Sequence, residues 1–249
     1  MSMTAEALER ERQFHNERFA EDNREAQEKY YFAIKDCEDD MWKAVRAAAV
    51  GKRVLEYGCA KGERSFELAP IAARVDGIDI SDVAIDMAAD RAKAQAVENV
   101  CFTVGDAHDT PYDDNTFDVV FGSGIIHHLD TERSLQEINR ILKPGGVAIF
   151  KEPLGCNVAI NMYRMVTPAA RTDDEHPLMP VDYRISRRVF GKAQWTFYGL
   201  LTLGAVPFRS LPIGGLALKV AAACDRVIAL VPGLRWQLWY SLMVMTKAA

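Results

Sequence analysis

The chain of 249 residues is long enough for one or two domains at about 150 residues each, and for a core that needs no staples. Apolar residues at 49% and charged residues at 26% exclude a disordered, collagen-like or low-complexity chain. A net charge of −5 provides no basic field to hold nucleic acid, so no nucleic-acid partner is expected.

Cys37, Cys59, Cys101, Cys156 and Cys224 stand far apart without a CxxC pair. That pattern fits buried small hydrophobes in a reducing compartment, and neither a disulfide framework nor a metal site is expected. The N-terminal MSMTAEALERERQ lacks the apolar core of a signal peptide, and no run of about 18–20 uncharged apolar residues occurs. The expected location is the cytoplasm, with membrane association through the C-terminal fifth as an added expectation.

Residues 1–50 mix dense charges with Phe14, Phe19, Tyr30, Tyr31, Ile34 and Trp42, which reads as a helical arm, either solvated or a lid over the core. From Lys52 the texture changes. Val54 and Leu55 open an apolar run that ends in the glycine-rich stretch 58–62, and a helix over 63–73 follows. Residues 75–80 read as a second strand, with Ser81 as N-cap of a helix from Asp82 to about Val97. Strands are expected at 100–104 and 117–121. A helix from Thr131 carries Leu135, Ile138, Ile141 and Leu142 on one face, Lys143-Pro144-Gly145-Gly146 stops it, and 147–150 forms the next strand. Strands alternating with helices of this length mean βαβ units and a parallel sheet. Beyond Glu152 the alternation loosens into a Pro-rich insertion with the polar run 171–176, followed by expected strands at 192–198 and 238–246.

A glycine-rich turn after a first strand lets a ligand approach the backbone, and Gly58, Ala60 and Gly62 supply one. Dinucleotide-binding folds use the same device, so three carboxylates decide the ligand. Glu56 lies within the loop region two residues before Gly58, where it repels a pyrophosphate and welcomes a cation. Asp79 ends the second strand, the usual place for a carboxylate that accepts ribose hydroxyls. Asp106 ends the third, where a carboxylate can accept from an exocyclic amine. A cationic amino-acid group, a ribose and an adenine in that order describe S-adenosyl-L-methionine.

With VLEYGCAKG at 54–62, VDGIDIS at 75–81, GDA at 105–107, FDVVFGSGIIHHL at 117–129 and LKPGG at 142–146, the chain resembles the class I S-adenosylmethionine-dependent methyltransferases of the small-molecule type. The resemblance spans roughly 50–152; Ala60 departs from it, standing where a second glycine is usual. It implies an α/β, Rossmann-like, seven-stranded, mostly parallel sheet with the last strand antiparallel. Residues 51–249 would form the methyltransferase domain behind the arm, with insertions after strands five and six at about 153–190 and 199–233. It further implies cofactor contacts from Glu56, Gly58, Cys59, Ala60, Gly62, Asp79, Ile80, Asp106, Ala107 and Ser123. Glu56 and Gly58 would flank the methionine part, Asp79 the ribose, Asp106 and Ala107 the adenine, and Ser123 the sulfonium.

Methyl transfer needs a nucleophile held against the activated carbon and, for a hydroxyl, a base. His127 and His128 follow the fourth strand and Glu152 ends the fifth, a base-plus-orienter pattern at the edge where open α/β sheets bind ligands. The same pair could serve as scaffold. His176, in the insertion, is a rival base, whereas His15 and His108 read as solvated. The expected function is methyl transfer to a small-molecule or lipid-like acceptor, at oxygen with a histidine base. N- or C-methylation, or a non-catalytic S-adenosylmethionine-binding partner protein, are the alternatives.

Residues 193–249 carry five basic residues and one acid among many apolar and aromatic ones. That composition suits sheet core, a homodimer or lid contact, a greasy acceptor pocket, or peripheral membrane contact through 199–233.

Overall fold

The computed structural model describes residues 5–21, 31–166 and 175–249. Tyr30, the side chain of Phe19 and the polar residues 171–174 lie outside them. Seven strands, β1 (Arg53–Tyr57), β2 (Arg74–Asp79), β3 (Val100–Val104), β4 (Phe117–Ser123), β5 (Leu142–Pro153), β6 (Lys192–Tyr198) and β7 (Tyr240–Thr246), form one sheet in the order β3-β2-β1-β4-β5-β7-β6. The β1–β2, β2–β3, β1–β4 and β4–β5 pairs are parallel, and β7 is inserted antiparallel between β5 and β6. The Rossmann-like architecture with an antiparallel last strand is therefore present.

Eight α-helices are described: α1 (Ala5–Glu21), α2 (Lys35–Ala49), α3 (Glu63–Leu68), α4 (Asp82–Ala94), α5 (Thr131–Ile141), α6 (Val158–Val166), α7 (Pro180–Phe190) and α8 (Gly214–Ala229). Side chains alternate across a strand, and β1 uses this to build two cores. Leu55 and Tyr57 join Leu135, Ile138 and Ile141 of α5 and Phe190 of α7. Val54 faces the other way, against Cys37, Met41 and Val45, the apolar stripe of α2.

Element boundaries differ from expectation where the backbone chemistry changes. α3 ends at Leu68, before Pro70, whose ring lacks the N–H a helix needs. α4 ends at Ala94 because Ala96 turns left-handed, at φ 51°. β5 starts at Leu142 instead of Val147: Phe117 pairs with Leu142, the register shifts, and Val119 pairs with Val147, so 143–146 bulge out around Gly145 at φ 76°. Glu56 sits in β1, opposite Gly77 and Phe121, and not in the loop as the sequence suggested. All five cysteines are free, but Cys101 and Cys224 are exposed, so burial accounts only for Cys37 and Cys59. The stretch 199–233 folds as a 3-10 helix, Leu201–Phe208, and α8. The buried Asp225 joins them by accepting the backbone N–H groups of Leu200 at 2.9 Å and Leu201 at 2.8 Å.

Candidate cofactor and acceptor site

The three sequence-predicted acids stand at the carboxyl ends of three adjacent strands. Glu56, next to last in β1, is buried and accepts the Ser65 hydroxyl at 2.6 Å. Burial, opposed by the Ser65 hydrogen bonds, raises its pKa from 4.5 to about 8. Burial outweighs the Ser65 hydrogen bonds, so the charge of this carboxylate is poorly compensated and a cation is the ligand that would restore it.

Between β1 and α3 the chain turns through left-handed positions at Gly58 (φ 74°), Ala60 (φ 48°) and Gly62 (φ 72°). Glycine adopts these freely; alanine does so at a cost. The turn is held from below. Gly58 and Cys59 both donate their N–H to the Ile78 carbonyl, at 2.9 and 3.0 Å, and Ala60 N–H donates to Asp79 Oδ2 at 2.8 Å. A Cβ at Gly62 would lie 2.6 Å from the Phe102 ring. The Cys59 thiol points into the core; burial, then the Glu56 and Asp79 charges, push its pKa well up. Cys59 thus offers a ligand its backbone only.

Asp79 ends β2 and accepts Ala60 N–H on one oxygen and Ser81 N–H, at 2.9 Å, on the other. One bond per oxygen leaves a lone pair on each for a ligand diol. Ile80, half-buried, continues this edge. Asp106 Oδ1 accepts both the backbone N–H and the ring Nδ1 of His108, each at 2.8 Å. Burial opposes its ionisation, but the His108 contacts prevail and hold its carboxyl below the usual range. The Tyr57 hydroxyl donates to the Ala107 carbonyl and fixes the same turn.

His108 corrects the sequence reading. It is buried, not solvated, and its Nε2 accepts Asp130 N–H at 2.9 Å, which leaves the proton on Nδ1 for Asp106. His15 is corrected as well: only 21% of its side chain is exposed, its Nε2 lies 3.5 Å from Glu11, and its ring packs on His128 at 5.6 Å.

At the acceptor edge, Glu152 has no exposed surface. Its Oε1 accepts the N–H groups of Ile125 and Ile126, both at 2.9 Å, and its Oε2 lies 2.8 Å from His127 Nδ1. A carboxylate only accepts, so Nδ1 carries the proton and Nε2 is the basic nitrogen. His128 points instead toward the arm, with Nδ1 3.4 Å from Glu11 and Nε2 3.9 Å from Glu175. His176 is exposed; its backbone N–H, 2.8 Å from the His127 carbonyl, ties the 153–190 stretch to this loop. Ser123 is exposed at the end of β4, opposite Lys151 of β5.

The arm lies across this rim. Asn16 of α1 receives a hydrogen bond from Ser81 at 2.6 Å and gives one to Asp82 at 2.9 Å, while Glu11 and His15 reach His128. Ser81 follows β2 and His128 follows β4, so α1 spans the end of β1 that lies between them. Sequence reading missed Ser65, Asn16 and Glu11. The one local signal was the helical spacing of Glu11 and His15, four residues apart.

Comparison with known proteins fits this geometry. Residues 55–150 match the family described as a methyltransferase domain. A 27-O-demethylrifamycin SV methyltransferase of Amycolatopsis mediterranei is 38% identical over 99 residues, 39% of this chain and 36% of that protein. A demethylmenaquinone methyltransferase of Staphylococcus aureus is 34% identical over 106 residues, 41% of this chain and 43% of that one. The matched region thus spans well under two thirds of these relatives. Among solved structures, a geranyl diphosphate C-methyltransferase of Streptomyces coelicolor, in complex with S-adenosyl-L-homocysteine, superposes with a TM-score of 0.62 at 14% identity, covering 86% of this chain and 81% of that one. The (4+2)-cyclase SpnF superposes at 0.58 with 21% identity, covering 86% and 82%. At these identities the structures speak for the fold alone. Over residues 55–150 the chain is similar to methyltransferase domains.

Proposed function

We propose that this protein transfers a methyl group from S-adenosyl-L-methionine to an oxygen of a small-molecule or lipid-like acceptor, with His127 as base. When bound, the cofactor supplies a methyl group on a cationic sulfur. Glu56 compensates the amino-acid cation, Asp79 accepts from the ribose, and Asp106 with Ala107 borders the adenine. His127 Nε2 takes the acceptor proton while Glu152 stabilises the imidazolium. The carrying observation is the 2.8 Å contact from His127 Nδ1 to a carboxylate with no exposed surface. The relatives, named for a rifamycin and a menaquinone precursor, favour bulky apolar acceptors.

The test is cofactor-dependent methylation of a panel of quinols, phenols and polyketide alcohols by wild type and His127→Ala. A loss of about 10²–10⁴-fold in kcat for the variant supports the base. Equal rates point to N- or C-methylation, and bound cofactor without turnover on any acceptor points to a binding protein.

A second reading, peripheral membrane contact, rests on α8. It buries Leu218, Ala222 and Asp225, yet its opposite side exposes Leu216, Val220 and Val227, and Leu230 just beyond it is 80% exposed. A helix apolar all round is one that is covered. α6 likewise exposes Val158, Met162 and Met165, and its Val158 N–H donates to Gln237, beyond the end of α8, at 3.3 Å. Arg209 and Lys219 are exposed nearby, and Asp225, the only acid in 193–249, is buried. An anionic bilayer suits that charge and that apolar face. Co-sedimentation with phosphatidylcholine vesicles containing phosphatidylglycerol, lost in Leu216→Glu/Val227→Glu, supports the bilayer; a dimer that ignores vesicles overturns it. No described helix is long and apolar enough to cross a membrane.

A further inference from the structure

Three side chains outside the proposed base pair converge at the contact between arm and core. Glu11 and His15 are four residues apart on α1 and therefore share one helix face. His128 approaches them from the 3-10 turn Ile126–His128 after β4. One donor atom from each lies within 4.8 Å of the other two. Glu11 Oε2 is 3.5 Å from His15 Nε2 and 3.4 Å from His128 Nδ1.

These distances separate two kinds of contact. A charge-assisted hydrogen bond between an imidazolium and a carboxylate closes to about 2.7–2.9 Å. Two ligands on a tetrahedral ion with metal–ligand bonds of about 2.0–2.1 Å stand about 3.3–3.4 Å apart, the edge of the tetrahedron. The two spacings from Glu11 match the second. His128 Nδ1 is buried and, despite its approach to Glu11, makes no hydrogen bond among the described residues. His128 Nε2 is turned away toward Glu175, 3.9 Å off, so Nδ1 is left for the arm.

We propose that Glu11, His15 and His128 form a binding site for a borderline divalent metal ion of the Zn2+ type, a two-histidine, one-carboxylate set with a fourth position left for water or another oxygen ligand. Filling it fastens α1 to the loop after β4, the second anchor of the arm beside the Asn16–Ser81 contact. The site uses none of the residues assigned to the cofactor or to the His127–Glu152 pair, and it stands whether or not the chain methylates anything.

The test uses the full chain, stripped with a chelator and free of cofactor. Zn2+ is titrated against a chromogenic chelator, and Co2+ is followed by its visible absorption. One ion per chain is expected, with the strong visible bands of four-coordinate Co2+ and protection of the arm from limited proteolysis. His15→Ala, at a partly exposed position, and Glu11→Gln should each weaken Zn2+ binding at least tenfold, with circular dichroism verifying that both fold. Absence of stoichiometric uptake by wild type overturns the proposal, as does uptake unchanged in both variants. Uptake lost in Glu175→Gln but kept in His15→Ala would also overturn it, by moving the ion to the His127, His128, Glu175 group. S-adenosylmethionine titrated into the same stripped protein reports separately on the methyltransferase reading.

Discussion

His127 and Glu152 meet across two strand ends: the ring Nδ1 of one lies 2.8 Å from a carboxylate oxygen of the other, which also receives two backbone N–H groups on its second oxygen. One acid thus fixes both the imidazole and the turn that carries it. Glu152→Gln is expected to lower kcat with little change in the acceptor KM, because an amide can hold the turn but cannot stabilise imidazolium. Steady-state rates on any accepted substrate check this. The same variant should cost about 1–3 kcal/mol in denaturant unfolding, since its NH2 group would be buried against donors.

Glu56 sets a pH dependence. Its folded pKa, about 8, is raised above the ordinary 4.5 by burial. The folded state therefore binds the extra proton, and this group's contribution to stability is fully present below about 4.5 and is lost as pH rises through about 8. Chemical denaturation of Glu56→Gln should show a flatter stability profile between those values than wild type. Binding a cation beside Glu56 expels its proton, so wild type should release protons on cofactor binding at pH 7 and Glu56→Gln should not. Calorimetry in two buffers of different ionisation enthalpy measures this.

The loop between β1 and α3 carries opposite strains at Ala60 and Gly62. Ala60→Gly relieves a left-handed alanine at φ 48° and should stabilise the fold by about 1 kcal/mol. Gly62→Ala adds a Cβ 2.6 Å from Phe102 at φ 72°, and should destabilise by about 1–3 kcal/mol. Thermal unfolding of the two variants, one rising and one falling, checks both signs.

Asp106 and His108 act together. His108→Ala removes the ring that holds Asp106 and leaves the Asp130 N–H without its acceptor. It should weaken cofactor affinity about tenfold and also lower stability, whereas Asp106→Asn should affect affinity far more than stability. Equilibrium binding and unfolding of both variants separate the effects.

What the sequence could disclose followed the range of the interactions. β3 and β6 stand where alternating patterns and turn residues put them, since both signals are local. The rim positions of Asp79, last in β2, and Asp106, two residues past β3, could be read from the strand patterns, as could the glycine loop between a strand and a helix. His108 was misread because its partner Asp130 is remote in sequence and buried by tertiary packing. The convergence of Glu11 and His15 on His128 had no local trace beyond helical spacing, because only the crossing of α1 over the sheet rim brings them there. The early end of α3 was visible in Pro70; the start of β5 at Leu142 was hidden by the Lys143-Pro144-Gly145-Gly146 turn signal, which bulges out while pairing resumes on either side.

The central claim is that Glu56, Asp79 and Asp106 surround one cationic sulfur nucleoside. Titration calorimetry of wild type with S-adenosyl-L-methionine and with NAD, repeated on Asp79→Asn, tests it most directly. The account predicts saturable binding of the sulfonium nucleoside, at least tenfold weaker in the variant, and no comparable binding of NAD. Preference for NAD, or an affinity that ignores the loss of the Asp79 charge, would contradict it.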